Sequence, residues 1–306
     1  MTSSSVLRTP GDLRSDSVIR RLRWYIKRVP LISRPYGYFL QGLALRRQEH
    51  ALKTLEPIQK VEFFGVAITL ELENMHDFLM FEKFRLGEVY EAGTCRILLN
   101  QLRPGGTFID IGANNGYFSV LASSIVGATG RVVAIEPQPD AVRRLHNNIT
   151  LNSCNQNVEI HQVAVGVGGP TTHMSVDNFE DGRSSLVYGG GKKIVVPLVP
   201  LDDILGNLSP NLLKIDVEGY ELEVLESAAR TLAGTPAPKL IVEWTGMHNS
   251  SRLWRFLSSR YNLFRISDQP DDVGLRSVRR LDELNDQCNL LCVTKDQSSQ
   301  QVTKSS

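Results

Sequence analysis

The chain has 306 residues, enough for one large domain or for one domain with an extension. Its 42% hydrophobic content supports a sizeable core, and a formal net charge of +1 excludes a whole-chain field that would gather polyanions. That balance hides an asymmetry: residues 1–60 carry 12 Lys and Arg against 4 Asp and Glu, and the rest of the chain carries 22 against 29.

The N-terminal 60 residues read as a basic, partly helical extension. Val18, Leu22, Tyr25, Ile26 and Val29 recur at helical spacing, Pro30 closes the run, and Arg20, Arg21, Arg23, Lys27 and Arg28 cover the other faces. Residues 15–30 therefore read as an ordinary surface helix, with peripheral membrane contact or partner docking as sharper alternatives. Met1 to Ser17 lacks the apolar core of a secretory signal, and no run reaches the 18 apolar residues of a membrane span; a cytoplasmic location is the expectation. Cys95, Cys154, Cys288 and Cys292 show no C-x-x-C pairing, which predicts reduced thiols and no zinc site.

Residues 61–296 read as the main domain, with its core over 88–293, and the polar segment 297–306 as a disordered tail. Val61–Leu72 has strand character with Gly65 at a turn, and Glu88–Leu102 has helical character ended by Pro104-Gly105-Gly106. Strands are then predicted at 107–111, 131–135, 158–165, 212–217 and 240–244. Helices are predicted at 117–126, 140–152, 219–232 and 250–259. A polar, Gly-rich excursion spans 166–191, Lys193–Val196 reads as a short returning strand, and two closing β-segments occupy 262–266 and 289–293. Strands separated by helices imply parallel pairing with right-handed crossovers, and so a doubly wound α/β sheet.

The sharpest local signal is Phe108-Ile109-Asp110-Ile111-Gly112-Ala113-Asn114-Asn115-Gly116, an apolar strand running into a glycine loop and a helix. Ligands of doubly wound sheets sit outside the carboxyl ends of the strands, where this loop lies. The spacing is G-x-x-x-G, unlike the G-x-G-x-x-G of a dinucleotide site, and Asp110 would repel a pyrophosphate. It would attract the sulfonium and amino group of S-adenosylmethionine, directly or through water. Glu136 ends the next strand, where a carboxylate can accept both ribose hydroxyls of an adenosine. Val163 and Ala164 would lie beside an adenine ring, with Gln162 adding an amide.

These segments, with Leu213-Lys214-Ile215-Asp216-Val217-Glu218-Gly219-Tyr220-Glu221, resemble the FkbM family of methyltransferases. Asp202-Asp203-Ile204-Leu205 and Ile241-Val242-Glu243-Trp244 add to the likeness. Tyr90-Glu91 is similar to a short element of the family, and places Glu91 with the cofactor-side residues. The resemblance covers residues 88–293. It implies a class I, Rossmann-like methyltransferase sheet of seven strands with the last antiparallel, and methyl transfer from S-adenosylmethionine to hydroxyl oxygens of sugars, glycolipids or secondary metabolites. By the same route Asp110, Gly112, Asn114, Gly116 and Glu136 are implied as cofactor contacts. Thr245-Gly246-Met247-His248 departs from the family's spacing and leaves His248 without a role.

On the acceptor side, strand alternation would place Asp216 and Glu218 on one face, with Glu243 on the adjacent strand. One of these carboxylates could take the acceptor's proton. Other readings stay open: a Mg²⁺ site, less favoured, so that no metal ligands are assigned, and a plain helix-start role for Glu218 and Glu221. The acceptor is expected to be a small molecule or glycoside. Nucleic acid is not expected, because the strand that ends at Asp216 lacks the Pro-Pro element of enzymes that methylate DNA base amines. Gly182-Arg183-Ser184-Ser185, in the polar excursion, would bear on acceptor choice. The rivals are a catalytically idle adenosine-binding module and an NAD-dependent oxidoreductase, the second opposed by the glycine spacing.

Overall fold

The computed structural model describes residues 58–71, 77, 80, 83–84, 86–176, 184–186, 192–246, 249–268 and 274–295. The expected helix over 15–30, residues Gly182, Arg183 and His248, and the tail lie outside them.

The described chain opens on a hairpin of β1 (Ile58–Phe63) and β2 (Val66–Glu71). Phe64 and Gly65 both take positive φ, 51° and 75°, the backbone that lets a two-residue turn follow the twist of its strands. α1 (Ala92–Gln101), β3 (Thr107–Ile111), α2 (Tyr117–Val126), β4 (Arg131–Ile135), α3 (Pro139–Leu151) and β5 (Val158–His161) follow. Side-chain amides of α3 and its C-cap hold the hairpin: Asn148 Oδ1 accepts from Glu71 N at 2.6 Å and Asn152 Oδ1 from Thr69 N at 2.8 Å. They satisfy edge groups that would otherwise need another strand.

Next come β6 (Ala164–Val165), β7 (Thr171–Val176), β8 (Ser184–Ser185), β9 (Lys192–Val199), α4 (Leu201–Leu205), β10 (Leu212–Ile215), α5 (Glu221–Glu226) and α6 (Ala229–Leu232). The chain closes with β11 (Lys239–Trp244), α7 (Ser250–Arg260), β12 (Tyr261–Ile266), β13 (Leu275–Val278) and β14 (Cys288–Thr294).

The main sheet has the order β13-β12-β14-β11-β10-β3-β4-β5. β11, β10, β3, β4 and β5 run parallel, and β14 enters antiparallel between β11 and β12. This is the expected seven-stranded arrangement with its last strand antiparallel. An eighth strand, β13, is added at the edge by residues that lie between the two closing β-segments. The core lies on the sheet: β10 is buried at every position, Lys214 included.

Three predicted elements change shape. The strand expected over 158–165 divides. Its pairing with β4 ends at Ile135↔His161, with Glu136 N donating to the His161 carbonyl at 3.1 Å just past that point. Gln162 is then exposed, and Ala164–Val165 pair instead with β9 in a second sheet, β6-β9-β7-β8. β9 accordingly extends over eight residues. The helix expected over 219–232 breaks at Ser227. The carboxylate of Asp202 accepts from Arg230 N at 2.7 Å and Thr231 N at 2.9 Å, capping α6 from outside. The helix expected from Glu88 begins only at Ala92, after a left-handed Glu91 with φ 43°.

The sheet order reverses between β3 and β10, because the chain builds outward through β4 and β5 before returning. Open α/β sheets bind ligands at such a point, beyond the carboxyl ends of the strands.

Candidate active site

A cavity of about 310 Å³ opens at that switch point, lined from β3, β4, β10, β11 and their following loops. Met174 of β7 and Leu186, just after β8, complete one side, so the second sheet forms part of its wall.

The β3–α2 loop makes the floor. Gly112 has φ 81°, and a Cβ there would collide with the carbonyl oxygen of Asp216. The close approach that demands glycine is thus to the end of β10. Gly116, φ 85°, lies outside the cavity lining, and a Cβ there would strike Leu145 of α3. Asn114, φ 49°, lines the cavity. Gly112→Ala should cost about 1–2 kcal/mol for the left-handed backbone and a further ~1–3 kcal/mol for the clash. Urea unfolding of the variant, with the midpoint lowered at unchanged slope, checks this.

Glu136 stands at the end of β4 and is 6% exposed. One carboxylate oxygen accepts from Asn114 N and the other from Gln138 N, both at 2.9 Å. Each oxygen keeps a second acceptor direction toward the cavity that Glu136 lines. Burial raises its carboxyl to about 7, against the two backbone donors and Arg144, which favour the anion. Arg144 itself is buried, 3.5 Å from Asp77, and Asp77 accepts from Asn115 Nδ2 at 2.7 Å. Val163 and Ala164 line the cavity, with Ile135 and Pro137.

Two further residues of the expected cofactor set lie outside the cavity lining. Gln162 is exposed at the break between β5 and β6 and does not line the cavity. Asp110 is 1% exposed and also off the wall. It sits in a fully buried stretch of β3, where Oδ2 accepts from Ser119 Oγ of α2 at 2.6 Å and Oδ1 has no hydrogen-bond partner among the described residues. Burial raises its carboxyl and Lys214 opposes the rise. It positions the first turn of α2 from beneath.

The opposite wall is acidic. Oxygens of Asp216, Glu218 and Glu243 lie within 4.8 Å of one another. Strand alternation is not what joins the first two: β10 ends at Ile215, and Glu218 reaches the cavity through a left-handed turn with φ 53°. Glu221 takes the helix-start role, accepting from Gly219 N at 2.9 Å. Glu243 is 8% exposed; Oε1 accepts from the amide of Gln287, and Oε2 has no hydrogen-bond partner among the described residues. Burial, then Asp216 and Glu218, push its carboxyl up to about 10.

Lys214 underlies this wall. It is 2% exposed, with Nζ 2.6 Å from Asp216 Oδ2 and 4.6 Å from the centroid of the Phe118 ring. Neighbouring Asp216, Glu91 and Asp110 hold its ammonium well above the usual range despite burial. Glu91 lines the cavity, accepts from Asn289 Nδ2 at 2.8 Å, and is raised to about 7 by burial, which Lys214 resists. Tyr117, whose hydroxyl donates to the Tyr90 carbonyl at 3.2 Å, and Gln287 complete the wall. Sequence reading assigned no role to Lys214, Tyr117 or Gln287. A lysine flanked by Leu213 and Ile215 in an apolar strand was the available signal, because a buried ammonium requires partners.

A sequence model of the FkbM methyltransferase domain matches residues 110–266, just over half of the chain. One of protein-L-isoaspartate(D-aspartate) O-methyltransferase matches residues 45–173. The methyltransferase sdnD of Sordaria araneosa is 29% identical, over 40% of this chain and 61% of its own length. A probable cobalt-precorrin-6B C(15)-methyltransferase (decarboxylating) of Sulfolobus acidocaldarius is 31% identical, over 40% of this chain and 66% of its own. The hexuronic acid methyltransferase AglP of Haloferax volcanii is 26% identical, over 46% of this chain and 58% of its own. The chain thus spans about six tenths of the length of these relatives. The glycine loop, the Glu136 strand end and the Lys214–Asp216 segment all fall within the matched domain, and the chain belongs to the FkbM methyltransferase family.

Proposed function

We propose that this chain methylates a hydroxyl oxygen of a sugar or another polyhydroxylated metabolite, with S-adenosylmethionine as donor. The observation that carries the reading is one cavity with two unlike walls. Glu136 offers paired acceptor directions on one side, and the Asp216–Glu218–Glu243 group faces it from the other.

The donor supplies a methyl group on a sulfonium, whose electron pair returns to a neutral thioether as the carbon–sulfur bond breaks. The residues present suit it. Glu136 would accept the ribose hydroxyls, while Ile135, Pro137, Val163 and Ala164 would border the adenine. Glu91 and Asp216, both on the cavity wall, would supply negative charge for the cationic end. Carboxylates also suit an acceptor that presents several hydroxyls, each a donor. Asp216, held in place by Lys214, would align the acceptor hydroxyl and take its proton as the new carbon–oxygen bond forms. The relatives include a hexuronic acid methyltransferase and a C(15)-methyltransferase. The hydroxyl assignment rests on the carboxylate wall, suited to proton removal from oxygen.

The test uses labelled S-adenosylmethionine with a panel of glycosides and hydroxylated metabolites. Asp216→Asn should lower kcat by about 10²- to 10⁴-fold on the acceptor found, with donor affinity little changed. Full turnover by the variant, or a product carrying its methyl on carbon, would refute the reading.

A further inference from the structure

We propose that Asp77 and Arg144, a buried pair outside the cavity lining, are positioning residues for the donor: they fix the β3–α2 loop in the shape that delivers Asn114 to Glu136. The proposal rests on the reading of Glu136 as the group that holds the donor's ribose.

The two loop residues concerned, Asn114 and Asn115, both line the cavity, and both are held from behind. Asn114 takes φ 49°, a left-handed conformation that asparagine tolerates at a cost. In that conformation its N–H donates to Glu136 Oε2 at 2.9 Å, and its side-chain Oδ1 accepts from Arg144 Nη2 at 3.4 Å. Arg144 Nε lies 3.5 Å from Asp77 Oδ2, and Asp77 Oδ1 accepts from Asn115 Nδ2 at 2.7 Å. The chain of contacts Asn114–Arg144–Asp77–Asn115 therefore closes around the turn. Asn148, one turn beyond Arg144 on α3, donates from Nδ2 to the Asn115 carbonyl at 2.8 Å and braces the same point.

Burial indicates what this arrangement is for. Asp77, Arg144 and Asn115 are 0%, 5% and 2% exposed. Taking a carboxylate and a guanidinium out of water costs about as much as their attraction returns, so such a pair adds little net stability over an apolar one. A forked guanidinium supplies direction instead, with one nitrogen toward Asp77 and another toward Asn114. Asp77 stands between β2 and α1, 38 positions before Asn115, so a distant segment sets the shape of the donor loop. Charge acts in the same sense: Arg144 of α3 favours the anion of Glu136, and Asp110 of β3 opposes it.

Calorimetry of the full chain with S-adenosylmethionine, with urea unfolding of the same variants, tests the role. Arg144→Lys keeps the charge and loses the fork, and should weaken donor binding about tenfold. Arg144→Met should weaken it further and move the pH dependence of affinity to higher pH; in a Glu136→Gln background that pH shift should disappear. A lone Asp77 is costly to bury, so the combined Asp77→Asn and Arg144→Met variant carries the test if Arg144→Met fails to fold. Its stability should recover in part while donor affinity stays about tenfold or more below the wild type. Folded variants that bind the donor as tightly as the wild type would overturn the proposal, as would affinity that recovers together with stability. Glu136→Gln separates the two claims. Donor binding weakened by Glu136→Gln but not by the Arg144 variants refutes the positioning role and leaves the ribose reading standing. Binding weakened by the Arg144 variants but not by Glu136→Gln supports the hold on the loop and refutes its route through Glu136.

Discussion

The affinity for S-adenosylmethionine should fall about tenfold or more between pH 8 and pH 6, and Glu136→Gln should shrink that dependence to the share carried by Glu91, whose carboxyl also lies at about 7. The ribose hydroxyls are donors as well as acceptors, and the ionised carboxylate is the form that takes two of them. Burial holds the Glu136 carboxyl at about 7 in the empty protein, although Asn114 N and Gln138 N favour the anion. About nine tenths of the molecules at pH 6 therefore carry a protonated Glu136, and ionising it draws on the binding energy. Above pH 8 the group is already ionised and affinity levels off. Glu136→Gln keeps the shape, loses the charge, and should bind about 10- to 100-fold more weakly at pH 8, where hydrogen bonds to the anion count most. Calorimetry across pH 5.5–8.5, roughly the span over which a group at about 7 titrates, gives both numbers. A wild-type affinity flat over that range would show that Glu136 does not hold the ribose.

The same shift fixes the sign of a stability effect. A glutamate ionises near 4.5 in the unfolded chain but near 7 at Glu136, so the unfolded state releases its proton first. Stability of the ligand-free protein therefore falls as pH rises from 4.5 to 7. Glu221, raised to about 7 by burial, acts in the same direction. Thermal unfolding should show a melting temperature lower at pH 7.5 than at pH 5.5, and added S-adenosylmethionine should recover more at the higher pH.

Much of the donor side was legible in the sequence because it is local. A strand, a glycine turn and a helix are contiguous, and Glu136 follows from its place at the end of the neighbouring strand. What local reading could not see was direction. Asp110 sits two residues before Gly112, yet its side chain serves Ser119 beneath the loop. Gly112 and Gly116 are glycines because Asp216 and Leu145 press on them, contacts that only the folded sheet creates. The division of residues 158–165 into two sheets likewise depends on where β4 stops, and periodicity carries no such information. The acceptor wall was half legible: Asp216, Glu218 and Glu243 could be grouped, but Gln287 comes from the approach to β14, 44 residues beyond Glu243.

Lys214→Met should cost about 3–5 kcal/mol, the loss expected when one partner of a buried pair is removed. Methionine fills nearly the same length of β10 and keeps contact with Phe118, so little of the loss is packing. What disappears is the ammonium among Asp216, Asp110 and Glu91, and burial already raises the carboxyls of the last two. With no buried cation beside them, Asp110 and Glu91 lose the group that favours their ionised forms. The deficit should therefore be larger at pH 8 than at pH 5, and the pH profile of stability steeper than in the wild type. Asp216→Asn in the Lys214→Met background should restore part of the loss, because removing both charges leaves less to compensate than removing one. Urea unfolding of the two single variants and the double variant at both pH values measures the coupling. A loss equal at pH 5 and pH 8, with no recovery in the double variant, would mean that Lys214 acts through packing, and Asp216 would then need another group to hold it against the acceptor.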